Sequence, residues 1–344
     1  MLRRASRRHR TYPRPATRRC AARSRTGRLG YNLSVSQPRD LSRYAWLSIA
    51  TAILTISLKA GAWALTGSVG LLSDAAESVV NLVAAVVALV ALKVAARPAN
   101  ERYPYGRSKA EYLSAAIEGV MIFLAAAVIC VSAVERFIHP RPLENLGIGL
   151  GISVIASVLN GAVGLILIRA GRTHRSVTLT ADGKHLMTDV ITSAGVLIGV
   201  ALVWLTGWDR LDPIVAFAVG INIIVIGTKL ITEALSGLLD AALPAEENDR
   251  VTAVLRGRTV AGEVDFHGLQ TRVAGPQRYA SVHVLVPGSW TVQQGHDLAE
   301  SVEAELREAV PDLHVVTHVE PREDPASYAD IPVGEVPLET PEGG

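Results

Sequence analysis

Two residues four apart, His185 and Asp189, precede the largely apolar stretch Val190–Thr206. On a helix they share one face, so an imidazole and a carboxylate would enter hydrocarbon together. Ionisable groups in a bilayer are costly and mark ion or substrate paths, and this spacing suits two ligands of one divalent ion. A matching stripe lies in 71–81, where Asp74, Glu77 and Asn81 stand at i, i+3 and i+7. Glu77 and Asn81 repeat the i, i+4 spacing. Two facing helices would then offer a carboxylate, an amide oxygen, an imidazole and a second carboxylate. With neutral His such a set carries a charge of about −2, which suits zinc, manganese, iron or cobalt better than a soft metal. The same residues have plainer uses. His185 and Asp189 can hydrogen-bond each other at a helix contact, Ser73 or Asp74 can cap a helix, and Glu77 and Asn81 can act as polar glue.

A second set of donors lies near the C-terminus: His267, His283, His296 and His318, with Glu320 two residues further on. On a strand His318 and Glu320 share a face, and histidines from three strands and a helix can converge in a compact fold. Surface histidines are common, and His139, His174 and His314 need no metal. Glu118 and Asn160, inside apolar stretches, could support ligating residues or serve as hydrogen-bonded packing. The lone Lys59 snorkels to an interface. Cys20 and Cys130 form neither a metal-ligand spacing nor a disulfide framework.

The elements that must position these residues follow from hydropathy. The 344 residues are 49% hydrophobic and 19% charged, too apolar for an ordinary soluble domain and too charged for membrane throughout. Six apolar runs are long enough to span: about Tyr44–Leu65, Leu71–Ala95, Tyr112–Ile138, Gly147–Ile168, Lys184–Thr206 and Pro213–Leu235. The short turn Thr66–Gly70 makes the first two antiparallel neighbours. Lys and Arg collect before Tyr44, after the second span (Lys93, Arg97, Arg102, Arg107, Lys109) and after the fourth (Arg169, Arg172, Arg175, Lys184), alternating with poorer links. Only Arg136 and Arg141 weaken the pattern, which places both termini in the cytoplasm.

Beyond the spans the periodicity changes. Glu246–Arg256 reads as a helix, Val264–Val273 and Arg278–Val286 as strands, Thr291–Val310 as an amphipathic helix and Leu313–Val319 as a last strand. The expected fold is an α-helical membrane protein with six transmembrane helices, followed by a small α/β cytoplasmic domain in the order α-β-β-α-β. The expected divisions are a basic disordered segment 1–43, a transport domain 44–240, a cytoplasmic domain 241–322 and a disordered tail 323–344. The leader carries 13 Arg against one acid, Asp40, which fits a solvated segment near anionic head groups or a transit peptide.

From about Tyr44 to Arg322 the chain resembles the cation diffusion facilitators, which exchange divalent transition metals for protons, and within them a branch of ferrous-iron and zinc efflux pumps. The resemblance rests on TGSVGLLSDAAESVVN, on RPANERYPYGRSKAEYLSA, on His185 and Asp189 after ADGK, and on LLDAALP at Leu238–Pro244. It implies a tetrahedral transport site from Glu77, Asn81, His185 and Asp189. The family usually has His or Asp at the first of these positions and Asp at the second. Asn81 lacks that charge, which weakens the expected binding, and Asp74 is the candidate to compensate. A further family site, an Asp and two His in the link after the second span, falls on Asn100, Tyr103 and Arg107. An arginine cannot ligate a cation, so no site is expected there. Lys109 and Asp240 match a salt bridge that joins the two halves. The resemblance also implies a binuclear, regulatory zinc site at His267, His283, His296, His318 and Glu320 in a domain that dimerises.

The expectation is a homodimeric, proton-coupled antiporter of the cell (inner) membrane, not an enzyme. Its substrate would be a divalent cation, zinc first, with iron, manganese and cobalt also compatible. Its partners would be protons, the lipid bilayer and a second copy of itself, but not nucleic acid. Two alternatives stand: a metal-sensing membrane scaffold that moves nothing, and an intramembrane metalloenzyme, which the lack of an HExxH element disfavours.

Overall fold

The computed structural model describes residues 39–338, except 67–68, 140–145, 209, 330 and 332–333. The basic leader through residue 38 and the last residues, 339–344, lie outside the described residues. Six helices come first: α1 (Ser42–Thr66), α2 (Val69–Ala95), α3 (Ala110–Ile138), α4 (Leu146–His174), α5 (Val177–Thr206) and α6 (Leu211–Leu238). Each contains a stretch long and apolar enough to cross a membrane. The second unit is α7 (Ala245–Arg258), β1 (Asp265–Ala274), β2 (Gln277–Val286), α8 (Val292–Ala309) and β3 (Leu313–Pro321).

Helix ends depart from the apolar runs for local reasons. α5 begins at Val177, two turns before the expected Lys184, because the Ser176 hydroxyl caps it by accepting from the Leu179 N–H at 3.3 Å. It ends where Gly207 takes φ +72°, a left-handed cap that glycine adopts without strain. α4 likewise runs past Ile168 to His174. The polar first turns of α5 therefore belong to the same rigid rod as His185 and Asp189.

The helices pack chiefly as α3 on α6, α4 on α5 and α1 on α2, with α2 also touching α5. Lipid tails are as apolar as leucine, so close backbone approach at small residues holds such helices together. At Gly183 an added Cβ would stand 2.8 Å from the Gly164 carbonyl oxygen and 2.9 Å from the Ile168 nitrogen. At Gly119 it would meet the Ile231 side chain at 2.8 Å, which brings α3 equally close to α6. Polar bonds add register. The buried Glu111 carboxylate on α3 accepts from the Ser176 hydroxyl and, at 3.3 Å, from the Thr178 N–H, fixing α3 to the start of α5.

In the cytoplasmic domain the strands lie in the order β1-β2-β3, β1 antiparallel and β2 parallel to their neighbours β2 and β3. The β1–β2 hairpin turns on Gly275 and Pro276, Gly275 having φ +61°, a value that a two-residue hairpin loop reserves for glycine. A parallel pair needs a crossover, which α8 supplies. That helix starts with a reciprocal cap between Thr291 and Gln294 and buries Ala299, Val302 and Leu306. Val302 and Leu306 join Val251, Leu255, Leu269, Val282, Val284 and Leu313 in one core.

Part of the tail expected to be structureless from 323 lies among the described residues and makes ordered contacts. Pro325–Tyr328 forms a short 3-10 turn capped by Asp324, and the chain then returns along β1. The Val336 N–H donates to Leu269 O at 2.7 Å, and the Gly268 N–H donates to the Glu335 carboxylate at 2.8 Å. Pro, Glu and Gly content pointed to solvent, but the edge of β1 offers unpaired backbone groups that the tail can satisfy.

Candidate metal centres

His185 and Asp189 sit on α5 facing α2 and α4, and four side chains from these three helices converge there. His185 Nε2 lies 2.8 Å from Asn81 Oδ1. The Asn81 amide donates to Asp189 Oδ2, and the Asn160 amide donates to the same oxygen at 2.9 Å. Asn81, Asn160 and His185 are each at most 4% exposed. Asn81 spends its nitrogen on the carboxylate, so its oxygen accepts and His185 Nε2 carries the proton in this arrangement. His185 Nδ1 and Asn160 Oδ1 remain buried and without hydrogen-bond partners among the described residues.

Such atoms are costly to bury alone, and both are good ligands for a hard or borderline cation. The donors present are carboxylate oxygen, amide oxygen and imidazole nitrogen, and Asp189 supplies the one formal negative charge among these four. The side chains of Asp74 and Glu77 lie outside the described residues; their backbone is part of α2, seven and four residues before Asn81 respectively.

Asn160 reaches the centre directly, where sequence reasoning placed it among supporting or packing residues. Two further acids are buried nearby. Asp182, one turn before His185 and 1% exposed, accepts from the Ser48 hydroxyl at 3.1 Å. Glu118 on α3, fully buried, accepts from the Ser114 hydroxyl at 3.3 Å. Asp182 stood in the quoted ADGK run three residues before His185 and seven before Asp189, the same stripe as Asp74, Glu77 and Asn81, and that spacing was the signal that could have found it.

The cytoplasmic donors form a second centre. Strand register sets His267 opposite His283, and His283 opposite His318, so three imidazoles lie in a row across the sheet. Glu320, two residues past His318 on the same face, stands among them. Its carboxylate oxygens lie 3.1 Å from His267 Nε2, 3.2 Å from His283 Nδ1 and 3.3 Å from His318 Nδ1. Ligand atoms of His267, His283 and Glu320 all fall within 4.8 Å of one another. His267 Nδ1 is buried with no hydrogen-bond partner among the described residues. Three imidazoles around one carboxylate match the nitrogen and oxygen preferences of zinc. His296 stands exposed on α8, outside this group in a single protomer.

The link from α2 to α3 is spent on its own turn. Asn100 Oδ1 accepts from the N–H groups of Arg102 and Tyr103 at 3.1 and 3.0 Å, and the Arg107 guanidinium lies 4.3 Å over the Tyr103 ring. Lys109 pairs with Asp240 at 2.8 Å, and Arg272 on β1 reaches the same carboxylate at 3.0 Å. The Lys109 hydrogen bond, helped by Arg272, holds the Asp240 carboxyl below the usual range. His139 closes α3, His174 lies beside Tyr44, and His314 stacks on Tyr279 at 5.0 Å.

A family profile described as the cation efflux transmembrane domain matches residues 45–239, and one described as the cation efflux protein cytoplasmic domain matches 243–322. Similar proteins include an uncharacterized transporter, sll1263, from Synechocystis sp., 51% identical over 285 residues, covering 83% of this chain and 92% of that protein. The cation-efflux pump FieF of Klebsiella pneumoniae is 30% identical, covering 84% and 95%, and that of Salmonella arizonae 31% identical, covering 82% and 93%. A solved structure of CzrB is 38% identical, covering 23% of this chain and 96% of that one, with a TM-score of 0.22.

Proposed function

We propose, on the premise that this chain belongs to the cation efflux (cation diffusion facilitator) family of transporters, that it exports a divalent first-row metal through the centre of Asn81, Asn160, His185 and Asp189. The observation that carries this reading is the convergence of these side chains from α2, α4 and α5 at a buried point, with two ligand atoms left without hydrogen bonds. An arriving cation takes the place of the hydrogen bonds that now join them. Asp189 offers its charge, His185 a ring nitrogen, and Asn81 and Asn160 their oxygens, while Glu77, and Asp74 one turn earlier, are the acids of α2 that complete the balance of charge.

Zinc is the first choice, and iron, manganese and cobalt are chemically close. Metal needs imidazole without a bound proton at the ligating nitrogen and needs carboxylate ionised, so protons compete for these donors. Loading the metal releases protons and reprotonation expels it, which is the basis of an antiport. We assign both termini to the cytoplasm of the inner membrane from the distribution of Lys and Arg, and dimerisation to the cytoplasmic domain. His267, His283, His318 and Glu320 would hold a regulatory zinc there; when bound, it ties the three strands of the sheet through their side chains. That task suits tuning of the membrane half rather than passage.

The test is flux in proteoliposomes loaded with a fluorescent zinc reporter and a pH dye. An imposed zinc gradient moves zinc and protons in opposite directions, and His185→Ala or Asp189→Ala abolishes both signals. Transport by Asp189→Ala at the unsubstituted rate sinks the assigned centre. Zinc movement without a pH change removes the proton coupling, and zinc binding without movement points to a sensing scaffold.

A further inference from the structure

A cavity of about 410 Å³ opens between the link that joins α2 to α3 and the β1–β2 hairpin of the cytoplasmic domain. Three cations line it, Arg107, Lys109 and Arg272, together with Tyr103, Tyr105 and Tyr279, and no acid does. The guanidinium groups are held in place by rings: Arg107 lies 4.3 Å from the Tyr103 centroid, and Arg272 lies 4.3 Å from Tyr279 and 5.5 Å from Tyr105. Stacking of this kind fixes the plane of a guanidinium while leaving its N–H edge open to an anion. Asp240, outside the lining, takes hydrogen bonds from both Lys109 and Arg272, so one carboxylate offsets two cations. Among the described residues Arg107 has no acidic partner, and the cavity keeps an excess of positive charge.

The surroundings say what kind of anion fits. The link follows the apolar stretch Ser78–Ala95 and precedes Ala110–Ile138, so the cavity opens next to the ends of two candidate membrane spans, the side on which lipid head groups would lie. Ser108, also in the lining, bonds Gln277 across the seam at 3.1 Å, and Lys109 directly precedes α3.

We propose that this cavity is a phosphate-binding site that clasps a phosphate ester between Arg107 of the membrane unit and Arg272 of the cytoplasmic sheet. Two sources share that chemistry, the head group of an anionic phospholipid and a soluble phosphate. Fork-shaped guanidinium groups match phosphate oxygens in pairs, and the hydroxyls of Tyr103 and Tyr105 can donate to the rest, while those of Ser108 and Tyr279 are spent on Gln277. Bound there, the phosphate spans the seam and competes with Asp240 for Lys109 and Arg272. The inference is independent of the identity of the transported cation.

Native mass spectrometry of the full chain, stripped of lipid and then titrated, tests this. Phosphatidylglycerol is retained over phosphatidylcholine by about tenfold or more, corresponding to at least one charged contact. Arg107→Gln, which breaks no ion pair with an acid, removes that preference, and Arg272→Gln does so as well. Zinc binding to Arg107→Gln is unchanged, which separates loss of the phosphate site from loss of the fold. If inorganic phosphate or glycerol phosphate displaces phosphatidylglycerol, the phosphate is the recognised group; if they bind while the lipid shows no preference, the source is soluble. Equal retention of the two lipids with no binding of either small phosphate overturns the proposal, as does a preference that survives both substitutions. The displacement arm uses the unsubstituted protein and stands even where a variant fails to fold.

Discussion

Asn160 has the least conspicuous sequence signal of the membrane centre. It is a lone amide in an apolar helix, with no carboxylate, amide or imidazole three or four residues away and only Ser157, whose hydroxyl bonds the Ser153 carbonyl, so little on α4 announces it. Its bond of 2.9 Å to Asp189 exists because α4 packs on α5, a contact between segments that no local pattern encodes. Removing it frees the Asp189 carboxylate to turn and takes away an amide oxygen. Asn160→Leu is therefore expected to weaken zinc binding by about 10- to 100-fold, the usual cost of losing a residue that orients a ligand. Competition against a zinc chelator measures it, and unchanged affinity would return Asn160 to packing. His185 and Asp189, by contrast, were legible because i, i+4 spacing lies along one helix and survives any packing. Asn81 was legible by the same spacing from Glu77, although its bond to His185 depends on α2 meeting α5.

At the scale of elements, the side chains of the membrane centre are held only as well as α4 and α5 hold each other. The Gly183 to Gly164 approach lies one turn or less from His185, and the atoms a side chain would strike are backbone, which cannot swing aside. Gly183→Val should cost about 1–3 kcal/mol by overpacking. The readout is a lower unfolding temperature in detergent, with weaker zinc protection than the unsubstituted protein shows; an unchanged melting point would mean the helices separate freely. Hydropathy found all six membrane helices but misplaced the start of α5, because a polar capped turn has no hydropathic signature. In the cytoplasmic domain alternation located the strands to within a residue or two at most ends. It could not give their register, and the register is what aligns His267, His283 and His318 across the sheet. The contacts of Glu335 and Val336 with β1 were illegible for a related reason: the edge of β1 that receives them is invisible until the sheet is assembled.

For the whole molecule, the decisive contacts are those of the seam. Lys109 and Asp240 were anticipated through resemblance. The rest joins residues far apart in the chain: Arg272 to Asp240, the Gly275 N–H to the Tyr112 hydroxyl at 3.0 Å, and Arg175 to Glu247 at 3.6 Å. Asp240 bears on stability through pH. Its folded carboxyl is held below the ordinary value of 3.8, so its contribution is complete above that value and disappears as pH falls through the lower, folded one. The side chain is 46% exposed, so the pair is worth at most about 1 kcal/mol at neutral pH and less in high salt. Asp240→Asn should accordingly leave global unfolding almost unchanged while speeding hydrogen exchange at 239–243 and 272–275. Exchange no faster than in the unsubstituted chain would show that the remaining seam bonds suffice.

The order of the strands has an effect during synthesis. β1 and β2 form a local hairpin that brings His267 and His283 together early, but Glu320, the carboxylate among the three rings, comes on β3, after α8. All six spans have left the ribosome before that residue is made. The full set of donors therefore appears only after the membrane half has been handed to the insertion machinery.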